Sequence, residues 1–435
     1  MPRTRIARLV AAATVAVATG IPPANAVAPP PVDRTLLPAP VPAAPAHPTV
    51  QRAVCTVGSL GEGGRPTQLD GLDLAAAWTL SRGAGQRVAV IDTGVAAHRR
   101  LPGLIGGGDY VSTGDGTRDC DGHGTLVAGI IAAAPDPVAD RFSGVAPSAT
   151  VIGIRASSAR FAARGDAPGI GDVDTLAKAV RTAADLGASV INISAVACRP
   201  ANSGLDDRAL GAALAYAVEV KNSVIVAAAG NLDDGCGAGG PTIVTPAWYD
   251  DYVLTVASVD ARGVASAFTL PGPWVDVAAP GEAVLSLSTV GDATADTLDG
   301  SPLHGTSFAA PVVSGLAALI RARHPQWTPQ QVMDRIKTTA HHPPGGRDDV
   351  VGAGVVDPLA ALTFDVPASG IPARPAAPLP RPAPDSEPAA APATPGLRAA
   401  IVGTAVLLAL LLAAVTGRAL SGSEPRHGSA ALGPD

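Results

Sequence analysis

The sequence predicts an α/β protein in which a parallel sheet carries helices on both faces, followed by one C-terminal transmembrane helix. Short apolar runs rich in β-branched residues recur through the middle of the chain, which is typical of strands buried on both sides. Stretches with apolar residues at helical spacing separate these runs, and a long uncharged apolar run lies near the C-terminus. The predicted strands are residues 88–91, 151–154, 190–193 and 224–227.

Two of the separating stretches have a clear helical stripe. When strand, helix and strand follow one another, the strands run parallel, and the groups that bind ligands collect at their carboxyl ends. We therefore expect the chemistry of this protein at residues that follow the predicted strands. One stripe is formed by Val173, Leu176, Ala177, Val180 and Ala184, and the other by Leu210, Leu214, Ala217 and Val218.

Residues 1–26 have the three parts of an export signal. Arg3, Arg5 and Arg8 form a basic start, an apolar run follows, and residues 24–26 read Ala-Asn-Ala, a typical cleavage site. A membrane anchor is the alternative. The apolar run is short for a bilayer and ends in Gly-Ile-Pro-Pro, which favours removal of the segment after residue 26.

Two proline-rich stretches bound the middle of the chain. Residues 27–67 are predicted to form an extended arm, because proline and alanine alone cannot build a core. Residues 364–397 are predicted to form a semi-rigid linker. Between them, residues 68–363 have about the upper size of one globular domain and are enough for a substantial core.

Residues 398–418 are predicted to form a transmembrane helix. The apolar run between Arg398 and Arg418 carries no charge and has the length that a helix needs to cross the hydrocarbon core. Because the signal exports everything before this helix, residues 419–435 would form a cytoplasmic tail. We therefore expect a single-pass protein of the cell membrane whose main domain lies on the extracytoplasmic side.

The charge balance excludes one class of partner. The net charge is −6 over 435 residues, and lysines and arginines form no cluster. A nucleic-acid-binding protein needs a basic surface, so we expect no nucleic-acid partner.

Four cysteines in an exported chain indicate two disulfides, for which three pairings are possible. Cys198 and Cys236 each follow a predicted parallel strand, so they lie at the same edge of the sheet, and we prefer this pair. Cys55 would then bond to Cys120. A zinc site is the alternative, although the spacing lacks a Cys-x-x-Cys pair.

Ser307 is the candidate nucleophile. Gly305 allows a tight turn, and apolar residues recur at helical spacing downstream, so Ser307 lies at the start of a predicted helix. There a hydroxyl is close to the positive end of the helix dipole and to backbone N–H groups, which suits an atom that carries negative charge. A helix-capping serine is the alternative.

Asp92 and His123 are the candidate partners of Ser307. Asp92 ends the strand that begins at residue 88, and His123 begins a helix with small residues beside it. A neutral histidine can take the proton of a hydroxyl, and a carboxylate can hold its tautomer and stabilise the imidazolium. A turn aspartate and a core or capping histidine are the alternatives.

Asn231 is the fourth candidate catalytic residue. It follows a predicted strand, and its amide can donate to a developing oxyanion together with the N–H of Ser307. A left-handed turn residue after Gly230 is the alternative. The order of aspartate, histidine and serine along the chain is that of the subtilisins.

The domain resembles subtilisin-like serine proteases over about residues 68–362. The arm, the Asp-Cys-Asp-Gly-His run that ends at His123, and the proline-rich linker before a single span make the whole layout similar to the mycosins. These are membrane-anchored proteases of type VII secretion in mycobacteria and related actinobacteria. The matching segments are residues 90–94, 123–129, 229–231 and 305–311, with smaller matches at 246–249 and 279–281.

The resemblance implies a serine endopeptidase that acts on exported proteins outside the membrane. Its partners would be protein or peptide substrates and subunits of a secretion complex. A mainly structural role in that complex is the alternative, and an esterase is a weaker one. We expect no cofactor and no metal, because solvated loop acids explain the nearby Asp115, Asp119 and Asp121.

Two features depart from the subtilisin pattern. Residues 194–198 stand where many subtilisins have Ser-Leu-Gly after the strand that pairs with substrate, although substrate can still add along this edge. The arm is too short and too proline-rich to resemble a propeptide that assists folding. If Cys55 is bonded to Cys120, we expect the arm to act as a stabilising clasp and not as an inhibitor.

Overall fold

A seven-stranded parallel sheet forms the centre of the molecule. The computed structural model describes residues 28–59, 67–165, 169–232, 236 and 242–363. The strands are β1 (Thr49–Gln51), β2 (Gly58–Ser59), β3 (Arg87–Asp92), β4 (Ile105–Asp109), β5 (Thr150–Arg155), β6 (Phe161–Ala163), β7 (Val190–Ile193), β8 (Ala197–Pro200), β9 (Val224–Ala228), β10 (Thr242–Thr245), β11 (Val253–Val259), β12 (Val277–Pro280), β13 (Ser286–Leu287), β14 (Thr294–Ala295), β15 (Thr297–Leu298) and β16 (Ser301–Pro302). The helices are α1 (Leu74–Ala77), α2 (His123–Ala132), α3 (Val173–Asp185), α4 (Arg208–Ala215), α5 (Thr306–Arg323), α6 (Pro329–Thr338) and α7 (Pro358–Thr363).

The order of strands across the central sheet is β12-β11-β9-β7-β3-β5-β4, and every neighbouring pair is parallel. The four predicted strands are confirmed as parts of β3, β5, β7 and β9. The other three strands lie outside the predicted set. Of these, β4 reads Ile-Gly-Gly-Gly-Asp, so it lacks the run of apolar side chains that marks a strand in sequence.

Helices cover both faces of the sheet, as predicted. Val88 and Val90 of β3 belong to the apolar core that contains α2 and α5, whereas Ala89 and Ile91 belong to the core that contains α3 and α4. This alternation follows from the two-residue period of a strand. Each fully buried valine or isoleucine contributes about 1.5–3 kcal/mol, so the two cores hold the sheet between the helices.

The two predicted helical stripes are confirmed as parts of α3 and α4, the second continuing into a π-helical turn at Tyr216–Val220. Asp172 caps α3 by accepting the backbone N–H of Thr175 at 2.7 Å. The buried side of α3 consists of small and branched residues that pack on the sheet, among them Ala177 and Val180.

The described part of the arm, residues 28–59, lies along the domain. Its strand β1 pairs antiparallel with β6, and β2 pairs antiparallel with β15. Arg34 forms an ion pair with Glu219 at 2.6 Å. The arm therefore contacts both the helical side of the molecule and the small sheet formed by β2, β15 and β16.

Both preferred disulfides are confirmed. Cys55 is bonded to Cys120, with Cα atoms 4.4 Å apart, and Cys198 is bonded to Cys236, with Cα atoms 5.3 Å apart. The first bond ties the arm to the residues just before α2. The second lies beside the paired strands β8 and β10.

Four predicted segments lie outside the described residues: the signal (1–26), the linker (364–397), the transmembrane helix (398–418) and the tail (419–435). Among the helices that the structure does describe, none combines the length and the apolar character that a membrane crossing needs.

Candidate active site

Asp92 is the last residue of β3, at the carboxyl edge of the sheet, and its side chain is only 3% exposed. The turn that follows lies against α2, where Thr93 Oγ1 accepts the N–H of Gly124 at 3.0 Å. A side chain at Gly124 would overlap the carbonyl oxygen of Gly94. Glycine at this position therefore allows the start of the helix to approach the end of the strand.

His123 is the first residue of α2, and the preceding Gly122 supplies no side-chain cap. Asp119 takes that role, because its carboxylate accepts the N–H groups of Gly122 at 2.7 Å and Thr125 at 2.8 Å. Asp119 also accepts the hydroxyl of Thr93 at 2.9 Å. These bonds satisfy backbone donors that a helix start leaves open, and they fix His123 relative to β3.

Ser307 is the second residue of α5. Gly305, which precedes the helix, has φ 150° and ψ 156°, a conformation that glycine adopts at little cost. In a helix, the N–H of the residue at position 311 would normally bond the carbonyl of Ser307. Pro311 has no N–H, so this bond is missing. The hydroxyl of Ser194 donates to that carbonyl instead, at 2.8 Å.

The structure brings Asp92, His123 and Ser307 together. Nδ1 of His123 lies 2.8 Å from Oδ1 and 3.0 Å from Oδ2 of Asp92. On the other side of the ring, Nε2 lies 2.9 Å from Oγ of Ser307. When Nδ1 carries the proton and donates to Asp92, Nε2 is free to accept the hydroxyl hydrogen of Ser307.

The surroundings of His123 favour its charged form. Burial alone would lower the pKa of His123, but the charge of Asp92 and the hydrogen bond to it outweigh burial, and Asp119 and Asp121 add to the effect. The pKa of His123 is therefore raised above its ordinary value. The imidazole is 24% exposed and packs against the ring of Phe308, with centroids 4.9 Å apart.

Asn231 contacts Thr306, the residue before Ser307. Its Oδ1 accepts both the N–H and the hydroxyl of Thr306, each at 3.1 Å, which sets the orientation of the amide. A Cβ atom added to Gly305 would lie 3.2 Å from Oγ of Ser307 and 3.4 Å from Nδ2 of Asn231. The space in front of Gly305 is therefore flanked by the hydroxyl and by the amide, a position that suits an oxyanion.

A cleft of about 540 Å³ opens over Ser307. Residues 194–196, which follow β7, form part of its lining, and so do residues 301–304, which precede α5. An extended peptide can add to the backbone of residues 194–196 as a further strand.

Two residues that support the site are not among those predicted from sequence. Asp119 acts as a cap for α2, and Ser194 bonds the backbone of Ser307. The usual capping signal lies immediately before the helix, where this chain has Gly122, so sequence alone does not single out Asp119. Ser194 has no such signal, because its partner is distant in the chain.

The acids considered as metal ligands have partners within the protein, and the prediction of a solvated loop acid is wrong for Asp121, which is only 7% exposed. Asp121 accepts the hydroxyl of Ser158 at 2.5 Å and the N–H of Ala159 at 2.7 Å. Asp115 accepts the N–H and the hydroxyl of Thr117. In the part of the chain that the structure describes, no three candidate ligands are grouped so as to hold a metal ion.

Comparison with known proteins identifies a family. The model of the subtilase family matches residues 83–354, a range that contains all four candidate catalytic residues. Mycosin-4 of Mycobacterium tuberculosis is 57% identical over 444 residues, which cover 95% of this chain and 96% of that protein. Mycosin-1 of the same organism is 43% identical over 92% of this chain and 96% of its own length.

Solved structures give the same result. The MycP3 protease from the type VII (ESX-3) secretion system matches with a TM-score of 0.72 at 46% identity, over 78% of this chain and 100% of that chain. A chain in the structure of an intact ESX-5 inner membrane complex matches with a TM-score of 0.73 at 41% identity, over 90% of this chain and 100% of its own. The chain described here thus belongs to the subtilase family and, within it, to the mycosins, and it is a subtilisin-like serine protease.

Proposed function

We propose that Asp92, His123 and Ser307 are the catalytic triad of this endopeptidase and that Asn231 is an oxyanion donor. The observation that carries the proposal is the continuous line of hydrogen bonds from Asp92 through His123 to Ser307, at 2.8 Å and 2.9 Å. This line lies in the cleft at the carboxyl edge of the sheet, where parallel α/β proteins bind their ligands.

In the first half of the reaction, Oγ of Ser307 attacks the carbonyl carbon of the substrate. As the new bond forms, the hydroxyl proton passes to Nε2 of His123, and Asp92 stabilises the resulting imidazolium. The carbonyl oxygen becomes negative and accepts hydrogen bonds from the amide of Asn231 and the N–H of Ser307. His123 then gives its proton to the leaving nitrogen as the C–N bond breaks.

In the second half, water takes the place of the departed amine. His123 accepts a proton from this water while the water oxygen attacks the acyl carbon. The tetrahedral intermediate collapses, the ester bond to Ser307 breaks, and His123 returns the proton to Oγ. The products are a new carboxyl terminus and the free enzyme.

The substitution Ser307→Ala tests the nucleophile. We expect a loss on the order of 10⁶ in kcat, with folding unchanged, because removal of the nucleophile leaves only binding and oxyanion stabilisation. Hydrolysis of casein and of a small ester are measured side by side. The matched control is Ser203→Ala, which removes an exposed serine that does not line the cleft and should keep activity.

Two results would change the proposal. Undiminished casein hydrolysis by Ser307→Ala would remove Ser307 from the nucleophile role. Cleavage of the ester without cleavage of any protein by the unsubstituted chain would favour an esterase.

A structural contribution to a secretion complex is the second candidate function. Relatives at 41% and 42% identity are chains of an ESX-5 inner membrane complex and of its periplasmic assembly. We propose the same kind of association for this chain. In cells that lack the protein, the Ser307→Ala form should restore the membrane complex on native gels without restoring proteolysis; failure to restore the complex would contradict an independent structural role.

Membrane attachment belongs to the same proposal. Residues 1–26 would be removed as a signal, residues 27–67 would form the arm, and residues 68–363 the protease domain. The linker 364–397, the span 398–418 and the tail 419–435 would anchor this domain to the outer side of the membrane. The uncharged run before Arg418 supports the span, and the export signal in residues 1–26 supports the outer position of the domain.

Truncation after residue 363 tests the anchor. We expect the truncated protein to leave the membrane fraction while keeping its activity on casein. The full chain should resist extraction by sodium carbonate. Release of the full chain by carbonate would contradict a transmembrane helix.

A further inference from the structure

Two cavities meet at His123. The first is the cleft of about 540 Å³ that contains Ser307, and the second, of about 490 Å³, also borders the imidazole. Among the described residues, only His123 and Leu298 line both cavities. Leu298 therefore forms a partition between them beside the imidazole.

The hairpin that carries Leu298 is held by backbone pairing on both sides. Leu298 lies in β15, between β2 of the arm and β16. The turn from β15 to β16 is Asp299-Gly300, with φ 49° and 77°, which fits a tight two-residue hairpin. A Cβ atom added to Gly122 would lie 2.9 Å from Cδ1 of Leu298, so this side chain rests on the backbone just before His123.

An ion pair ties the tip of the hairpin to the far wall of the second cavity. Arg160, which lines that cavity, pairs with the carboxylate of Asp299 and donates to the hydroxyl of Thr56 at 2.6 Å. The side chains of Arg160 and Asp299 are 27% and 53% exposed, so solvent and salt weaken the pair. The contact limits how far the hairpin moves away from His123.

The second cavity presents mainly apolar surface to a ligand. Its charged groups are already partnered: Asp121 accepts hydrogen bonds from residues 158 and 159, and Arg160 is paired with Asp299. The remaining lining includes Leu298 and Ile170 and four hydroxyl residues, Thr56, Thr93, Ser157 and Ser158. The hydroxyls of Thr93 and Ser158 already donate to carboxylates. An apolar side chain therefore fits this cavity better than a charged one.

We propose that Leu298 is a specificity-determining residue that selects an apolar substrate side chain beside His123. The proposal rests on the proposed function. A peptide that extends along residues 194–196 has side chains alternating between its two sides. The residue whose carbonyl meets Ser307 places its side chain in the first cavity, so the preceding residue places its side chain on the side of His123, in the second cavity.

Peptide boronic acids test this assignment because boron fixes the register. Oγ of Ser307 adds to the boron while its proton passes to His123, so the residue before the boron-bearing one lies next to the imidazole. Two fluorescein-labelled inhibitors are compared, Ala-Ala-Leu-Ala and Ala-Ala-Ala-Ala with the terminal carboxyl replaced by boronic acid. Dissociation constants are measured by fluorescence anisotropy with the full chain.

We expect the unsubstituted protein to bind the leucine inhibitor about tenfold more tightly than the alanine one, the discrimination that a few methylene groups give in an apolar pocket. Leu298→Ala should bring the two dissociation constants within about twofold. Leu298→Met, which restores an apolar side chain of similar volume, should keep the preference. Leu186→Ala removes a leucine at the end of α3 and should behave like the unsubstituted protein.

The outcomes separate this inference from the proposed function. Tight binding of both inhibitors with no leucine preference, or a preference that survives in Leu298→Ala, would overturn the role of Leu298 and leave the triad intact. Failure of the unsubstituted protein to bind either inhibitor would overturn the assignment of Ser307, and this inference with it. Loss of the preference in Leu298→Met as well as in Leu298→Ala would show that the hairpin had merely lost its packing, and would also overturn the role.

Discussion

Pro311 removes one backbone donor from α5, and a network of side chains supplies the missing bond. Ser194 donates to the carbonyl of Ser307 and accepts from the amide of Asn192, at 2.8 Å each. Asn192 in turn accepts the hydroxyl of Ser314 at 2.8 Å. Because every link is satisfied, this buried network ties the start of α5 to β7 without an unpaired polar group.

The charge of Asp92 raises the pKa of His123, so its removal should have two effects. We expect Asp92→Asn to lower kcat by a factor on the order of 10⁴, because the tautomer of His123 is no longer held. We also expect His123 to lose its proton at lower pH, which moves the acid limb of kcat/KM to lower pH. NMR titration of His123 in the Ser307→Ala background measures the second effect.

The control for this prediction is Asp115→Asn, which removes an exposed carboxylate that bonds Thr117 and not His123. Its pH profile should match that of the unsubstituted enzyme. An unchanged pKa of His123 in Asp92→Asn would contradict the electrostatic role of Asp92.

The oxygen and the nitrogen of the Asn231 side chain can be tested separately by substitution. Its oxygen orients Thr306, and its amide faces the space in front of Gly305. Asn231→Asp keeps the acceptor for Thr306 but loses the donor, so we expect it, like Asn231→Ala, to lower kcat by about a hundredfold or more. Steady-state kinetics on one peptide substrate measure the effect, with the exposed Asn202→Ala as control.

The fall in kcat of Asn231→Asp should come with little change in KM, because an oxyanion donor acts in the transition state. Near-normal kcat in Asn231→Asp would assign oxyanion stabilisation to other groups.

At the level of elements, the start of α2 depends on a carboxylate outside the helix. Asp119 accepts two backbone N–H groups and two hydroxyls, those of Thr93 and Thr125. Burial raises the pKa of Asp119 to about 6, and the charge of Asp92 adds to the rise, although the bonds from Thr125 and Gly122 act to lower it. Because the pKa is raised, the contribution of Asp119 to the stability of the fold decreases as the pH rises from 3.8 to about 6, where the buried carboxyl becomes charged.

Asp119→Ala should displace His123 by leaving these donors without an acceptor. We expect a loss of about 2 kcal/mol or more in the free energy of unfolding, since each unsatisfied buried donor costs about 1–3 kcal/mol. We also expect a fall in kcat that exceeds any change in KM. Urea unfolding in the Ser307→Ala background measures the free energy of unfolding, and steady-state kinetics of the active form measure kcat and KM. The control Asp115→Ala should leave these quantities near normal.

The elements that sequence predicts are those whose signal is local. Strands β3, β5, β7 and β9 show runs rich in β-branched residues because they are buried on both faces. Helix α3 shows an apolar stripe because it is buried on one face. The hairpin around Leu298 has only two residues in each strand. Its position depends on pairing with the arm, which no local pattern records.

At the level of the whole molecule, the site exists only when distant segments meet. Asp92 and His123 are 31 positions apart, and His123 and Ser307 are 184 apart. The candidates could be selected from sequence because each lies in its own multi-residue motif. Their distances and the partition at Leu298 depend on long-range packing and become visible only in the fold.

The bond between Cys55 and Cys120 connects the arm to the active site. After Cys55, the N–H of Thr56 donates to the carbonyl of Cys120 at 2.8 Å. The strand β2 then pairs with β15, where Gly58 lies opposite Leu298. The bond closes a loop of 65 residues, which in the chain-entropy model stabilises the fold by about 4 kcal/mol. The arm thus holds the hairpin of Leu298 in place.

We therefore expect an arm that is cut but still bonded to leave the enzyme active. A site for a sequence-specific protease is inserted between residues 59 and 67, and the purified chain is cleaved. On a denaturing gel without reductant, the arm should stay with the domain, and reductant should release it. Activity on casein should remain within about twofold after the cut, since one backbone break leaves the strand pairing of β1 and β2 intact.

The control pair separates this bond from the other disulfide. Replacement of both Cys55 and Cys120 by serine should free the cut arm without reductant, whereas replacement of Cys198 and Cys236 should not. A clasp and an inhibitor predict opposite changes in activity when the arm leaves. Loss of the arm should lower casein hydrolysis because β15 loses its partner strand, and a several-fold rise in hydrolysis would instead identify the arm as an inhibitor.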